Sequence, residues 1–168
     1  MTHLPSHPHR ITAALLTVLL PIVAAGSASS LAPSDSAATS AAPPPVVELL
    51  SRGTVAKRFK VKAHRIELKA KRKIDVAVAH LTFEPGGATG WHTHGGPTTV
   101  TVIAGSTTIT NRHCKSKTYT VGQTFVERGP DRHMATNPGD TTLETIVTFF
   151  VPTGSALTTP ATPPACAR

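Results

Sequence analysis

His92 and His94 stand two residues apart in the run Trp91-His92-Thr93-His94, which is flanked by glycines and has the look of a short extended piece. Side chains alternate along a strand, so residues two apart project from the same side. Two imidazoles placed that way can offer ring nitrogens to one cation at about 2.0–2.1 Å. On its own a His-x-His pair is weak testimony, since histidine pairs also occur in polar turns. Its weight comes from the segments that surround and position it.

Those segments read as strands almost throughout. Ile74, Val76 and Val78 alternate with Asp75, Ala77 and Ala79, and the run continues to Phe83 before Glu84-Pro85-Gly86-Gly87 turns the chain. Further β-branched runs cover Thr98 to Ala104, Thr107 to Thr110, Tyr119 to Val121, Thr124 to Val126 and Thr145 to Val151. Turn signals at Gly105, Gly122, Arg128-Gly129-Pro130-Asp131 and Asn137-Pro138-Gly139-Asp140 separate them. Only Val46 to Ser51 has a helical pattern. Many short strands punctuated this regularly predict an all-β sandwich or barrel rather than a parallel α/β sheet. Thr98, Val100, Val102 and Ala104 share one phase, which predicts an apolar inner wall of the kind that a ligand pocket, or simply a barrel core, requires. His80 has the phase of Val76 and Val78, so it is expected to face inward, as a satisfied core histidine or a donor behind the site. Trp91 has the opposite phase to His92 and His94 and is expected outside or at a rim.

The run PGGATGWHTHGGPTTVTVIAG, from Pro85 to Gly105, resembles the first cupin motif: glycine, five residues, His-x-His, three or four residues, Glu, six residues, glycine. The run GQTFVERGPDRHMATN, from Gly122 to Asn137, is similar to the second: glycine, five residues, Pro-x-Gly, two residues, His, three residues, Asn. Together they resemble the small single-domain bacterial cupins with a GWHxHxGP core, over roughly residues 74–151. The resemblance implies a single cupin-type β-barrel, a double-stranded β-helix or jelly roll. It also implies that His92, His94 and His133 are ligands of one divalent transition metal, Fe, Zn, Mn, Cu or Ni. Thr98, Val100 and Val102 are then expected to line the ligand space. Two departures matter. Thr98 stands where the motif has its carboxylate ligand, and Arg128 and Pro130 replace the proline and glycine of the second motif. Three imidazoles without the carboxylate leave a more positive centre that favours an anionic exogenous ligand. Glu127 and Glu84 are the acids that could take the empty place, and strand phase places neither.

Around the barrel the chain is of different composition. Arg10, the apolar run Ile11 to Ala25 and the small residues Gly26 to Ser30 have the order of a secretory signal peptide, assigned to residues 1–28 with cleavage expected between 26 and 32. The run is shorter than the roughly 20 residues a bilayer core requires, so no stable membrane anchor is expected and the mature chain is expected to be secreted. Residues 29–45 are almost all Ala, Ser, Thr and Pro and read as a disordered or extended linker. The cupin domain is assigned to 46–153, and 154–168 forms a second Pro/Thr/Ala-rich tail of the same disordered character. The two cysteines, Cys114 and Cys166, are expected to form a disulfide that ties this tail to a loop.

The formal charge is +8, and nine of the 17 basic residues lie between Lys57 and Lys73. Phe59, Val61 and Ala63 alternate there with Lys60 and Lys62, as on an edge strand with one wet face. Phe59 is the single aromatic residue among these charges, too few for a single-stranded nucleic-acid platform, so no nucleic-acid partner is expected. Weak binding to an anionic surface is compatible with the run. The resemblance also admits a homodimer, since cupins often pair through edge strands. Three readings of function follow: an exported metal-binding barrel holding a small-molecule ligand; a metal-dependent oxygenase-type enzyme on the three-histidine site; and a degenerate barrel that interacts with surfaces through its basic strand.

Overall fold

The computed structural model describes residues 41–168. The signal-like segment and most of the linker therefore lie outside the described residues. Strands follow one another as β1 (Val46–Val55), β2 (Phe59–Ala63), β3 (Ile66–Ala70), β4 (Ile74–Phe83), β5 (His92–Thr93), β6 (Thr98–Ala104), β7 (Ser106–Asn111), β8 (Ser116–Thr120), β9 (Thr124–Glu127), β10 (His133–Thr136), β11 (Leu143–Pro152) and β12 (Thr159–Pro160). Val, Ile, Thr and Phe dominate them, residues whose branched or flat side chains suit a pleated surface. One five-stranded antiparallel sheet has the order β1-β4-β11-β6-β9 and another the order β12-β5-β10-β7-β8. In β11 buried and half-buried residues alternate without a break, so Leu143, Thr145, Val147, Phe149 and Val151 face the core. Ile109 and Tyr119 of the second sheet pack onto the same cluster as Val147 and Phe149, so the two sheets enclose a shared jelly-roll core. Among the described residues no helix is long and apolar enough to cross a membrane.

Four expectations are corrected. Val46 to Ser51 is not helical; it lies in β1, which pairs with β4 along its length. A register shift between Leu49 and Ser51 interrupts the strict alternation of the strand there, so its residues do not keep the two-residue period by which a strand is read. In β4 the inward phase belongs to Asp75, Ala77, Ala79 and Phe83, with Val76 and Val78 half-buried on the other face. His80 therefore faces away from the core, where its Nε2 lies 3.0 Å from Glu144. The basic run forms an isolated β2–β3 hairpin in which Val61, Ile66 and Leu68 are all exposed, so it has two wet faces instead of one.

The fourth correction concerns the tail, which is ordered. Thr159 and Pro160 pair with Thr93 and His92. The Ala161 amide donates to the Trp91 carbonyl, and Leu157 packs against the core. Low apolar content argued for disorder, but backbone pairing and the expected disulfide, Cys114–Cys166 with Cα atoms 6.2 Å apart, hold the segment.

Candidate metal centre

Two glycines let the loops that carry the site approach each other. Gly129 has φ +71°, and a Cβ there would lie 2.6 Å from the Gly96 carbonyl oxygen. The loop after β5 thus presses against the turn after β9, and the Gly129 carbonyl accepts the His94 amide at 2.8 Å. On its other side β5 pairs with β10, where His133 stands directly across from His92. Non-local pairing therefore gathers His92, His94 and His133, each at most 6% exposed.

Each ring is held by the same device. Nδ1–H of His92 donates to the Gly90 carbonyl (3.0 Å), that of His94 to Leu157 (2.7 Å) and that of His133 to Asp131 (2.8 Å). A carbonyl can only accept, so each Nδ1 carries its hydrogen and, on a neutral ring, Nε2 is left as a bare lone pair. Ligand atoms of the three rings lie within 4.8 Å of one another, a three-imidazole group able to hold a divalent metal.

Sequence reasoning left a fourth member of this cluster unplaced. Glu127, at the end of β9, stands directly across from Thr98. Its Oε2 lies 3.0 Å from His94 Nε2 and its Oε1 3.2 Å from His133 Nε2, with the carboxylate side chain only 9% exposed. The other acid considered, Glu84, is exposed in the turn after β4. A carboxylate lies beside two of the three rings, so the more positive centre expected from the loss of the motif carboxylate does not arise. The signal that could have found Glu127 was its register across from Thr98, which requires knowing that β6 pairs with β9.

Titration follows from this enclosure. Burial, with the two neighbouring imidazoles adding to it, pulls His92 down to about 4, so its ring is neutral at pH 7. Burial pushes Glu127 up, but the imidazoles of His133 and His94 beside it outweigh that and bring it down to about 2. Burial also pulls His133 down, and there the Glu127 carboxylate prevails and raises it. Glu127 is thus an anion at neutral pH, facing the Nε2 atoms of His94 and His133.

A cavity of about 270 Å³ adjoins the rings. Its wall is mostly apolar, with Leu81, Phe83, Val100, Phe125, Val147 and Phe149, while His92, His94 and Glu127 supply the polar end. Pro44 and Pro45 ahead of β1, and Thr158 of the tail, complete it. Of the residues expected to line the ligand space, Val100 does so. Val102 lies further along β6, packed in a separate cluster with Phe83 and Leu143. Thr98 is fully enclosed on the β6–β9 ladder and does not line the cavity; its hydroxyl has no hydrogen-bond partner. Trp91 is half-buried and off the cavity, as its phase required. Asn137 of the second motif donates to the carbonyls of Phe83, Glu84 and Thr141 and so staples two turns behind the site.

Residues 79–149 match the family model of the cupin domain. The chain thus carries a cupin domain over residues 79–149, in keeping with the jelly-roll sheets and the placement of both motifs. Among solved structures it is similar to a cupin domain protein of Bordetella pertussis Tohama I, at 19% identity and a TM-score of 0.48 over 66% of this chain and 97% of that one. A double-stranded β-helix protein of Klebsiella pneumoniae is similar at 15% identity and a TM-score of 0.49, over 67% and 81%. An oxalate oxidase in complex with the substrate analogue glycolate is similar at 26% identity and a TM-score of 0.40, over 44% and 40%. No curated protein matches the chain.

Proposed function

We propose that this protein is an exported metal-binding cupin in which His92, His94 and His133 hold a divalent transition metal and the adjoining cavity takes a small ligand. The observation that carries the reading is the common anchoring of the three Nδ1–H groups on backbone carbonyls, which leaves three Nε2 atoms free in rings whose ligand atoms lie within 4.8 Å of one another. Holding three unshared pairs together in a buried place is costly unless a cation meets them. Export is supported by the signal-like order of residues 1–28 and by the disulfide, a bond that persists in oxidising compartments.

The metal, when bound, supplies a Lewis acid or a redox centre whose remaining positions accept an exogenous donor. The protein's own part is to fix the rings, exclude water and accommodate the ligand's body. The apolar wall suits a ligand with one donor atom and a hydrocarbon body. It suits a dicarboxylate poorly, because among the described residues no Lys or Arg lines the cavity to receive a second carboxylate. A second reading, dioxygen chemistry at the same metal, is favoured by that dry wall.

Metal analysis of purified protein tests the first reading. One equivalent of divalent metal is expected in the native chain and none in the variant with His92, His94 and His133 all changed to Ala. Stoichiometric metal retained by that variant would sink the site assignment. Oxygen consumption with a panel of thiols and diketones tests the second reading, and silence across the panel would leave ligand binding alone.

A further inference from the structure

The cluster contains contacts that three histidines alone do not explain. With each Nδ1 hydrogen committed to a carbonyl, His94 and His133 turn their Nε2 atoms toward Glu127. A carboxylate oxygen set against an imidazole Nε2 calls for a cation between them, a proton or a metal ion. His133 Nε2 is moreover buried and has no hydrogen-bond partner, although Glu127 Oε1 is 3.2 Å away. That contact has the distance of an ion pair without the alignment of a hydrogen bond.

The separations fit another arrangement. Two ligand atoms bonded to one ion at about 2.1 Å and at right angles lie about 3.0 Å apart. Glu127 lies 3.0 and 3.2 Å from two of the three ring nitrogens, one oxygen toward each. Its backbone stands directly across the β6–β9 ladder from Thr98, the position at which the first motif lacks its acid.

We infer that Glu127 is a fourth protein ligand, delivered by β9 in place of the acid that Thr98 has replaced on β6. The inference rests on the three-histidine reading above and adds to it a donor and a charge. Three neutral imidazoles and one carboxylate form a mixed nitrogen and oxygen set, which suits Fe, Mn, Zn or Ni and gives no preference to thiolate-seeking Cu(I). The carboxylate brings the net charge of a divalent centre from +2 to +1. Exogenous anions are then held less tightly than at a three-imidazole site.

The test uses the full chain loaded with Co2+, with affinity read by chelator competition and coordination read from the visible spectrum. Glu127→Gln keeps the shape and removes the charge. It is expected to lower Co2+ affinity by about a hundredfold, at the upper end of what losing an outer hydrogen-bonding partner alone costs. Its spectrum should change as well, which a purely structural role for Glu127 would not produce. Azide titrated into the Co2+ form should bind more tightly to this variant than to the native chain. Native affinity with an unchanged spectrum in Glu127→Gln would overturn the inference. If circular dichroism shows that this variant does not fold, Glu127→Asp, which keeps the charge but withdraws the oxygens by one methylene, gives the same reading: lower affinity with an altered spectrum supports the inference, and native behaviour overturns it. Failure of the three-histidine reading is separate, since it would appear as metal retained by the triple alanine variant.

Discussion

The C-terminal tail and the basic hairpin are opposites in composition and in use. The tail, from Thr153 onward, is small residues and prolines with little apolar surface, yet it is built into the site. Its Leu157 carbonyl orients His94, its β12 pairs with the strand that carries His92, its Thr158 lines the cavity, and its Cys166 is bonded to Cys114. The β2–β3 hairpin has better strand-forming residues and regular pairing from Phe59–Ala70 to Ala63–Ile66. It nevertheless exposes Val61, Ile66 and Leu68 and contributes nothing to the metal centre. Order in this molecule follows from where backbone groups find partners. The hydrophobic content of a segment does not decide it.

That comparison can be broken most severely by exchanging the fates of the two segments. Truncation after Pro152 removes the Leu157 carbonyl and the disulfide together. Metal affinity should fall by about 10–100-fold, the cost of losing the hydrogen-bond partner that fixes a metal-bound histidine, and thermal stability should fall with it. Replacing the hairpin by a short turn should leave metal affinity unchanged in the same titration. A hairpin deletion that costs as much metal as the truncation would undo the contrast.

A narrower change keeps every tail residue. Cys114→Ser with Cys166→Ser opens a loop closed across 52 positions. Chain entropy places the loss at up to about 4 kcal/mol, to be read by denaturant unfolding with and without a thiol reductant. Equal stability of the two forms would mean that backbone pairing alone holds the tail.

Acid offers a third handle. Asp75 accepts from the Gly154 amide at the start of the tail and from Thr54 and Arg52 of β1. Those bonds, Gly154 first, bring its carboxyl down from the ordinary carboxylate range to about 2. A depressed carboxyl stabilises the fold fully above the unfolded value near 4, and the contribution is lost as pH falls toward 2. The thermal midpoint should therefore drop between about pH 4 and pH 2 in the native chain, and drop less steeply in Asp75→Asn. Parallel profiles would remove Asp75 from the account.

The smallest effect belongs to the hairpin charges. Changing Lys60, Lys62, Lys71 and Lys73 to Gln should shift stability by no more than about 0.5 kcal/mol. If the hairpin is a weak anionic-surface binder, the same variant should elute from an anionic matrix at lower salt. An unchanged elution profile would leave the hairpin as a solvated appendage.

The fold was legible in the sequence because strand alternation and turn residues are local, and because the two motif frames fix which strands carry His92, His94 and His133. What stayed hidden depended on pairing. Glu127 becomes part of the site only through its register across from Thr98, two strands that the sequence separates by a hairpin. The inward face of β4 was misjudged because Ala77 and Ala79 face the core while the larger Val76 and Val78 do not, reversing the usual preference. The tail was misjudged because its order comes from carbonyls and a disulfide, which composition does not encode.

Anomalous diffraction from crystals grown with Co2+ tests the central claim most directly. The account predicts a single strong peak at bonding distance, about 2.0–2.2 Å, from Nε2 of His92, His94 and His133, with an oxygen of Glu127 alongside. A peak elsewhere, or none near the three rings at saturating metal, would contradict it.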